Sequence, residues 1–221
     1  MRLFHCCALL ALFLASVLST ARAQVPGLRG TTMLDCSGLP CVEVTLATGR
    51  HLRLLVDTGN VSSILDTAVA KEMGLAVTPV NGRNGKPVDG YGRSLLAGVK
   101  LGGTLLGDVK VLVMDVAGYV KRDRMPAADG TLAYTAFKDR ILELDYVRRT
   151  VRVSEPLRSE LPCPGFCGTL TTPTFGKQGP PIIVSTGFSV DHKPITAEVD
   201  TLFGGTMLIY PPQLKSSDSL K

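Results

Sequence analysis

The tripeptide Val56-Asp57-Thr58 returns 143 residues later as Val199-Asp200-Thr201. Each copy follows a strand, a turn and a second strand. Each then opens into a small polar loop: Gly59-Asn60-Val61-Ser62-Ser63 runs into Ile64-Leu65, and Leu202-Phe203-Gly204-Gly205-Thr206 runs into Met207-Leu208-Ile209. A repeat of this kind implies two related halves, each presenting a carboxylate at the tip of an apolar strand. Asp, Thr and Gly are also ordinary turn residues, so the tripeptide alone says little. The weight lies in the shared hairpin before it and the aliphatic run after it.

Composition narrows the rest. The chain has 221 residues, 45% hydrophobic and 19% charged, which suits one sizeable domain or two small ones and excludes a disordered or fibrous chain. The formal net charge of +5 is small and scattered, so no nucleic-acid partner is expected. Aromatic residues make up only 5%, with no tryptophan, which argues against a stacking surface for sugars or bases. His51 and His192 have no cysteine or carboxylate at ligand spacing, so neither a metal centre nor any other cofactor is expected. Arg2, the apolar run from Cys7 to Leu18 and Ala21-Arg22-Ala23 read as a secretory signal peptide over residues 1–23. The run is too short for a membrane anchor, so the mature protein is expected to be exported, periplasmic or secreted, with no membrane association after signal removal. Four cysteines then remain, in two tight pairs, Cys36 with Cys41 and Cys163 with Cys167. An oxidising compartment makes them disulfide candidates, with a zinc knuckle the weaker alternative. The sequence leaves open whether each pair closes locally or the two cross-link.

Along the mature chain the pattern is mostly antiparallel β with short turns. Cys41 to Ala47 and His51 to Val56 form a hairpin turning at Thr48-Gly49-Arg50, and it delivers Asp57 at its end. Asp66 is placed as the N-cap of a helix through Met73, stopped by Gly74. A turn-rich stretch from Asn81 to Pro87 precedes strands over Ser94 to Lys100 and Val109 to Val116, joined at Gly102-Gly103. A second helix is expected near Tyr134 to Arg140, followed by a hairpin of Ile141 to Tyr146 and Thr150 to Val153. Residues 156–180, rich in Pro, Gly and Thr, read as a linker or a disulfide-braced loop.

The chemistry expected of the repeated loop is specific. Apolar neighbours desolvate the carboxylate, Thr58 is placed to bond across to a partner loop, and Gly59 lets backbone or substrate come close. Two such loops brought together cannot ionise both aspartates cheaply, so the pair shares a proton: one carboxylate activates water, the other donates to a carbonyl.

Leu54-Leu55-Val56-Asp57-Thr58-Gly59-Asn60-Val61-Ser62-Ser63-Ile64-Leu65 resembles the active-site segment of retropepsin-like aspartic proteases, as do the helix ending at Met73-Gly74-Leu75 and the segment from Asp129 to Tyr134. The resemblance implies a mostly β fold, a retropepsin- or pepsin-like acid protease barrel lobe with one or two short helices over residues 24–155, plus a partial second lobe over 181–221. It implies an aspartic endopeptidase acting on a peptide or protein substrate, with Asp57 and Asp200 catalytic and Thr58, Gly59, Ser62 and Thr201 shaping the loops. The stretch from Asn81 to Tyr91, with Gly85, Gly90 and Tyr91, would be the flap. Three departures stand out. Leu202 replaces the glycine of the second loop, where it is expected to crowd substrate or loop; Ala133 stands where the family usually has glycine; and only 21 residues follow Asp200. On these grounds the partner of Asp57 is either Asp200 or Asp57 of a second chain, a homodimer being slightly favoured, and the alternative function is a non-catalytic peptide-binding or assembly module.

Overall fold

A computed structural model describes residues 30–116, 118, 127–155, 170–174, 181–190 and 192–203. The signal-peptide expectation and the Cys163 and Cys167 pair lie outside these residues. Thirteen strands are described: β1 (Thr31–Thr32), β2 (Cys41–Thr45), β3 (His51–Asp57), β4 (Ser63–Asp66), β5 (Thr78–Asn81), β6 (Pro87–Leu101), β7 (Thr104–Met114), β8 (Gly130–Ala133), β9 (Ile141–Asp145), β10 (Thr150–Ser154), β11 (Leu170–Thr171), β12 (Val184–Val190) and β13 (Lys193–Glu198). One α-helix, α1, spans Thr67–Glu72.

The strands from β2 to β8 form one sheet in the order β2-β3-β8-β4-β7-β6-β5, and a further pairing of β2 with β6 closes it into a barrel. Closure removes the sheet edges and lets one set of side chains fill the interior. Leu52, Leu54 and Val56 alternate inward from β3, where they meet Val42 and Val44 of β2, Leu96 and Val99 of β6, Val111 and Val113 of β7, and Leu132 of β8. Leu55 points to the other face and is also buried. This explains the unbroken apolar run before Asp57: the end of β3 is covered on both sides, as a strand in a parallel pairing usually is. Its parallel neighbour is β8, with Asp57 opposite Ala133.

The expected hairpin is present as β2 and β3, with Cys41 opposite Leu55. Helix α1 begins where Asp66 accepts a hydrogen bond from the Ala68 N–H (2.8 Å) and ends before Gly74, whose φ of +63° no β-carbon favours. The other carboxylate oxygen of Asp66 accepts from the Val116 N–H (2.9 Å), so this buried acid ties the helix start to the end of β7.

Elsewhere the structure differs from the sequence reading. The expected second helix is a single 3-10 turn, Tyr134–Phe137, with no side-chain cap; Lys138 leaves helical geometry and Asp139 takes a positive φ. The stretch from Asn81 to Tyr91 is no irregular loop but the end of a β-hairpin, with β5 and β6 joined by a turn at residues 82–86 and the Gly82 N–H bonded to the Lys86 carbonyl. Leu170–Thr171, inside the stretch read as linker, pairs with β12, which pairs with β13 in a separate three-stranded sheet. Cys36 and Cys41 form a local disulfide with their Cα atoms 5.9 Å apart, which decides between the two connectivities for that pair. No helix among the described residues is long and apolar enough to cross a membrane.

Candidate active site

Strand β3 carries Asp57 to the rim of the barrel, where the residue is only 8% exposed. Parallel β8 runs beside it, and the Ala133 N–H donates to the Ser63 hydroxyl (3.0 Å) at the start of β4. The Thr135 hydroxyl donates to the Val61 carbonyl (2.8 Å). The C-terminal end of the loop from Thr58 to Ser62 is thus fastened to the end of β8 and the turn that follows it. The sequence reading chose Ser62, but Ser62 is exposed and contributes only its N–H, which donates to Asn60 Oδ1 (3.1 Å). Its neighbour Ser63 makes the tie; the strand alternation after the loop was the available signal, because it turns Ser63 inward with Leu65.

Between the two copies of the repeat the hydrogen bonds are reciprocal. The Thr58 hydroxyl donates to the Val199 carbonyl (2.7 Å), and the Thr201 hydroxyl donates to the Val56 carbonyl (2.6 Å). The Thr58 N–H donates to Thr201 Oγ1 and the Thr201 N–H donates to Thr58 Oγ1, each at 3.0 Å. Every bond has its counterpart under exchange of the two loops, a local twofold relation within one chain. The repeat therefore marks two segments that meet, and Asp57 and Asp200 are brought together by them.

Gly59 has a specific reason to be glycine: a β-carbon there would overlap the Asp200 carboxyl group, whose Oδ1 would lie at 2.7 Å. Burial pushes the Asp57 carboxyl up to about 6, helped by repulsion from Asp200 and opposed by hydrogen bonds from the Gly59 and Asn60 backbone and the Asn60 side chain. Glu198, on the strand leading to Asp200, is also raised, first by burial and then by the Asp200 charge. Asp200 itself is exposed, and one of its oxygens accepts from the Leu202 N–H (2.8 Å).

The sequence profile of the aspartyl protease family matches residues 42–135. The barrel lobe is similar to that family. A solved structure described as a retropepsin-like aspartic protease from Rickettsia conorii is similar to the chain, with 13% identity, a TM-score of 0.41, and coverage of 58% of this chain and 90% of that one. No curated protein matches. The profile runs from β2 into the 3-10 turn and stops well before Asp200; the second loop is joined to the lobe by the hydrogen bonds above.

Within the barrel lobe, the hairpin expected as flap carries Gly85 and Gly90 at positive φ, of 74° and 75°. Beneath its base lies a cleft of about 350 Å³ lined by Thr67, Val77, Pro79, Val88, Tyr91 and Val113 among others. The sequence reading names Tyr91 but not the apolar wall opposite, because Val77 and Val113 come together only across β6, which pairs with both β5 and β7.

The Thr58 and Thr201 hydroxyls each donate one bond and accept another, so the isosteric variants Thr58→Val and Thr201→Val should each cost about 2–3 kcal/mol in urea unfolding. Each bond is shared, so the double variant should lose clearly less than the two single losses together. Additivity within about 0.5 kcal/mol would show that the loops do not meet in solution.

Proposed function

We propose that the protein is an acid-acting aspartic endopeptidase in which Asp57 and Asp200 of one chain form the dyad. The observation that carries this reading is the reciprocal exchange of hydrogen bonds between Thr58 and Thr201. It uses the N–H and hydroxyl groups of Thr58 that a second copy's loop would need, so a single chain supplies both carboxylates. The pair shares one proton, carried by the more buried Asp57, and Asp200 is the member more open to solvent. A water between them loses a proton to Asp200 as its oxygen attacks the peptide carbonyl carbon, and Asp57 donates its proton to the carbonyl oxygen. The resulting diol collapses as Asp200 passes its proton to the departing nitrogen and Asp57 takes back one hydroxyl proton, breaking the C–N bond and returning both carboxyls to their starting state. The β5–β6 hairpin serves as the flap, and the cleft under its base takes an apolar side chain of the peptide.

The test is cleavage of an unfolded protein substrate by purified protein between pH 3 and 8, with the molecular mass measured at the same concentrations. Activity should be present at acid pH and fall as pH rises through about 6, where the shared proton is lost. The active species should be a monomer, and Asp200→Asn should be inactive. An active Asp200→Asn variant in dimeric form would transfer the dyad to two copies of Asp57. Absence of cleavage by the parent at every pH would favour the non-catalytic peptide-binding module instead.

A further inference from the structure

The second loop differs from the first at the residue after Asp-Thr, where Gly59 has Leu202 as its counterpart. A leucine that crowded the site would project into it. It does the reverse: the Leu202 side chain packs against a small apolar cluster of the barrel lobe made by Cys36, Cys41 and Leu55 with Leu34, Leu39 and Ala128. Cys36 and Cys41 are the disulfide pair and are essentially fully buried. Leu55 is two residues before Asp57 on β3 and opposite Cys41 on β2. Leu202 is thus rooted in the same piece of lobe that sets the height of Asp57. Its backbone N–H, meanwhile, donates to the Asp200 carboxylate at 2.8 Å. One residue grips the lobe with its side chain and the second aspartate with its backbone.

We propose that Leu202 is a positioning residue, whose side chain, seated on the Cys36–Cys41 cluster, fastens the second loop to the barrel and holds the Asp200 carboxylate at Asp57. This rests on the dyad reading above. Elsewhere the loop is attached by the bonds to Thr58 and Val56, which fix its backbone at Val199 and Thr201 but do not touch the Asp200 side chain. The leucine adds an apolar attachment two residues after Asp200, next to Thr201. Glycine, with no side chain, could not do this. The disulfide gives the leucine a rigid base: a crosslinked turn between Cys36 and Cys41 keeps the apolar seat in place.

The readout is the titration of the Asp57 carboxyl carbon by NMR in the full chain, together with kcat and KM. The charged and polar groups that face it are Asp200, the Gly59 and Asn60 N–H groups and the Asn60 amide, with Glu198 beyond Asp200. In the parent Asp57 should titrate at about 6. Asp200→Asn removes the repulsion and should move the midpoint down. Leu202→Ala should move it in the same direction, because Asp200 swings away, and should lower kcat by about a hundredfold with KM little changed. Leu202→Ile, which restores the apolar volume, should return both to parental values. An Asp57 midpoint and kcat unchanged in Leu202→Ala would overturn the proposal while leaving the dyad intact. A midpoint unmoved in Asp200→Asn would instead remove the dyad reading on which it rests. Should Leu202→Ala fail to fold, Leu202→Val, shorter by one methylene, carries the same expectation at smaller size, and a parental titration and kcat there would equally overturn it.

Discussion

Asp57→Asn should abolish peptide cleavage, by about four orders of magnitude or more, and yet yield a protein more resistant to unfolding at neutral pH than its parent. Both effects come from the same burial. The carboxyl holds its proton up to about pH 6 in the folded chain, whereas an unfolded aspartate gives it up near 3.8. Between those values the native state binds more protons than the unfolded one, so the contribution of Asp57 to stability falls as pH rises. Below pH 3.8 it costs nothing; above about 6 the full penalty of a buried, repelled charge is present. Asparagine has nearly the same shape and no charge to bury. The advantage of the variant in urea midpoint should therefore appear above pH 3.8, grow to about pH 6 and then level off. A variant that cleaved like its parent would remove Asp57 from the chemistry. One that lost stability equally at every pH would show that the native carboxyl is not raised.

The second large effect belongs to a glycine away from the dyad. A β-carbon on Gly130 would overlap the Ile64 carbonyl oxygen and come within 2.9 Å of the Ile64 carbonyl carbon and 3.0 Å of the Leu65 α-carbon. All three are backbone atoms of β4, with which β8 pairs at this point. No side chain can rotate out of the way; the strands must part, and with them the ladder that aligns Ala133 beside Asp57 and binds Ser63. Gly130→Ala is expected to cost about 3 kcal/mol or more, at the upper end for overpacking and a large share of the 5–15 kcal/mol that stabilises a typical domain. Gly103→Ala is the control: its β-carbon meets nothing within 4 Å and should change the midpoint hardly at all. Equal denaturation midpoints for the two variants would show that β4 and β8 are not as close as described.

How much of this could be read from the sequence depends on how far apart the interacting residues lie. The hairpin of β2 and β3 and the Asp66 cap of α1 follow from turn and capping residues a few positions away, and both were legible. So was the Asp57 loop, through its repeat. The barrel was legible only through the resemblance, not from strand patterns, because its closure pairs β2 with β6 and its parallel pairings join β3 to β8 and β4 to β7 across tens of residues. Alternation along each strand says which face is apolar, but not which strand lies alongside. Leu202 was misjudged for the same reason: beside Asp200 in sequence a leucine reads as an obstruction, and only the disulfide turn at Cys36 and Cys41, more than 160 residues earlier, gives its side chain somewhere else to go. Motif spacing points to Ser62 without reporting on which side of the chain a hydroxyl emerges, and it is Ser63 that is buried.

The exchange between Thr58 and Thr201 spans 143 residues, while most ladders of the barrel join strands much nearer in sequence. Ends separated by so long a chain meet late, since closing the intervening loop costs entropy that only completed contacts repay. The barrel can therefore assemble around Leu54, Val56 and Leu132 before Asp200 arrives. In the order of events during folding, β structure precedes the paired carboxylates, and a chain still partly unfolded carries one aspartate where hydrolysis requires two.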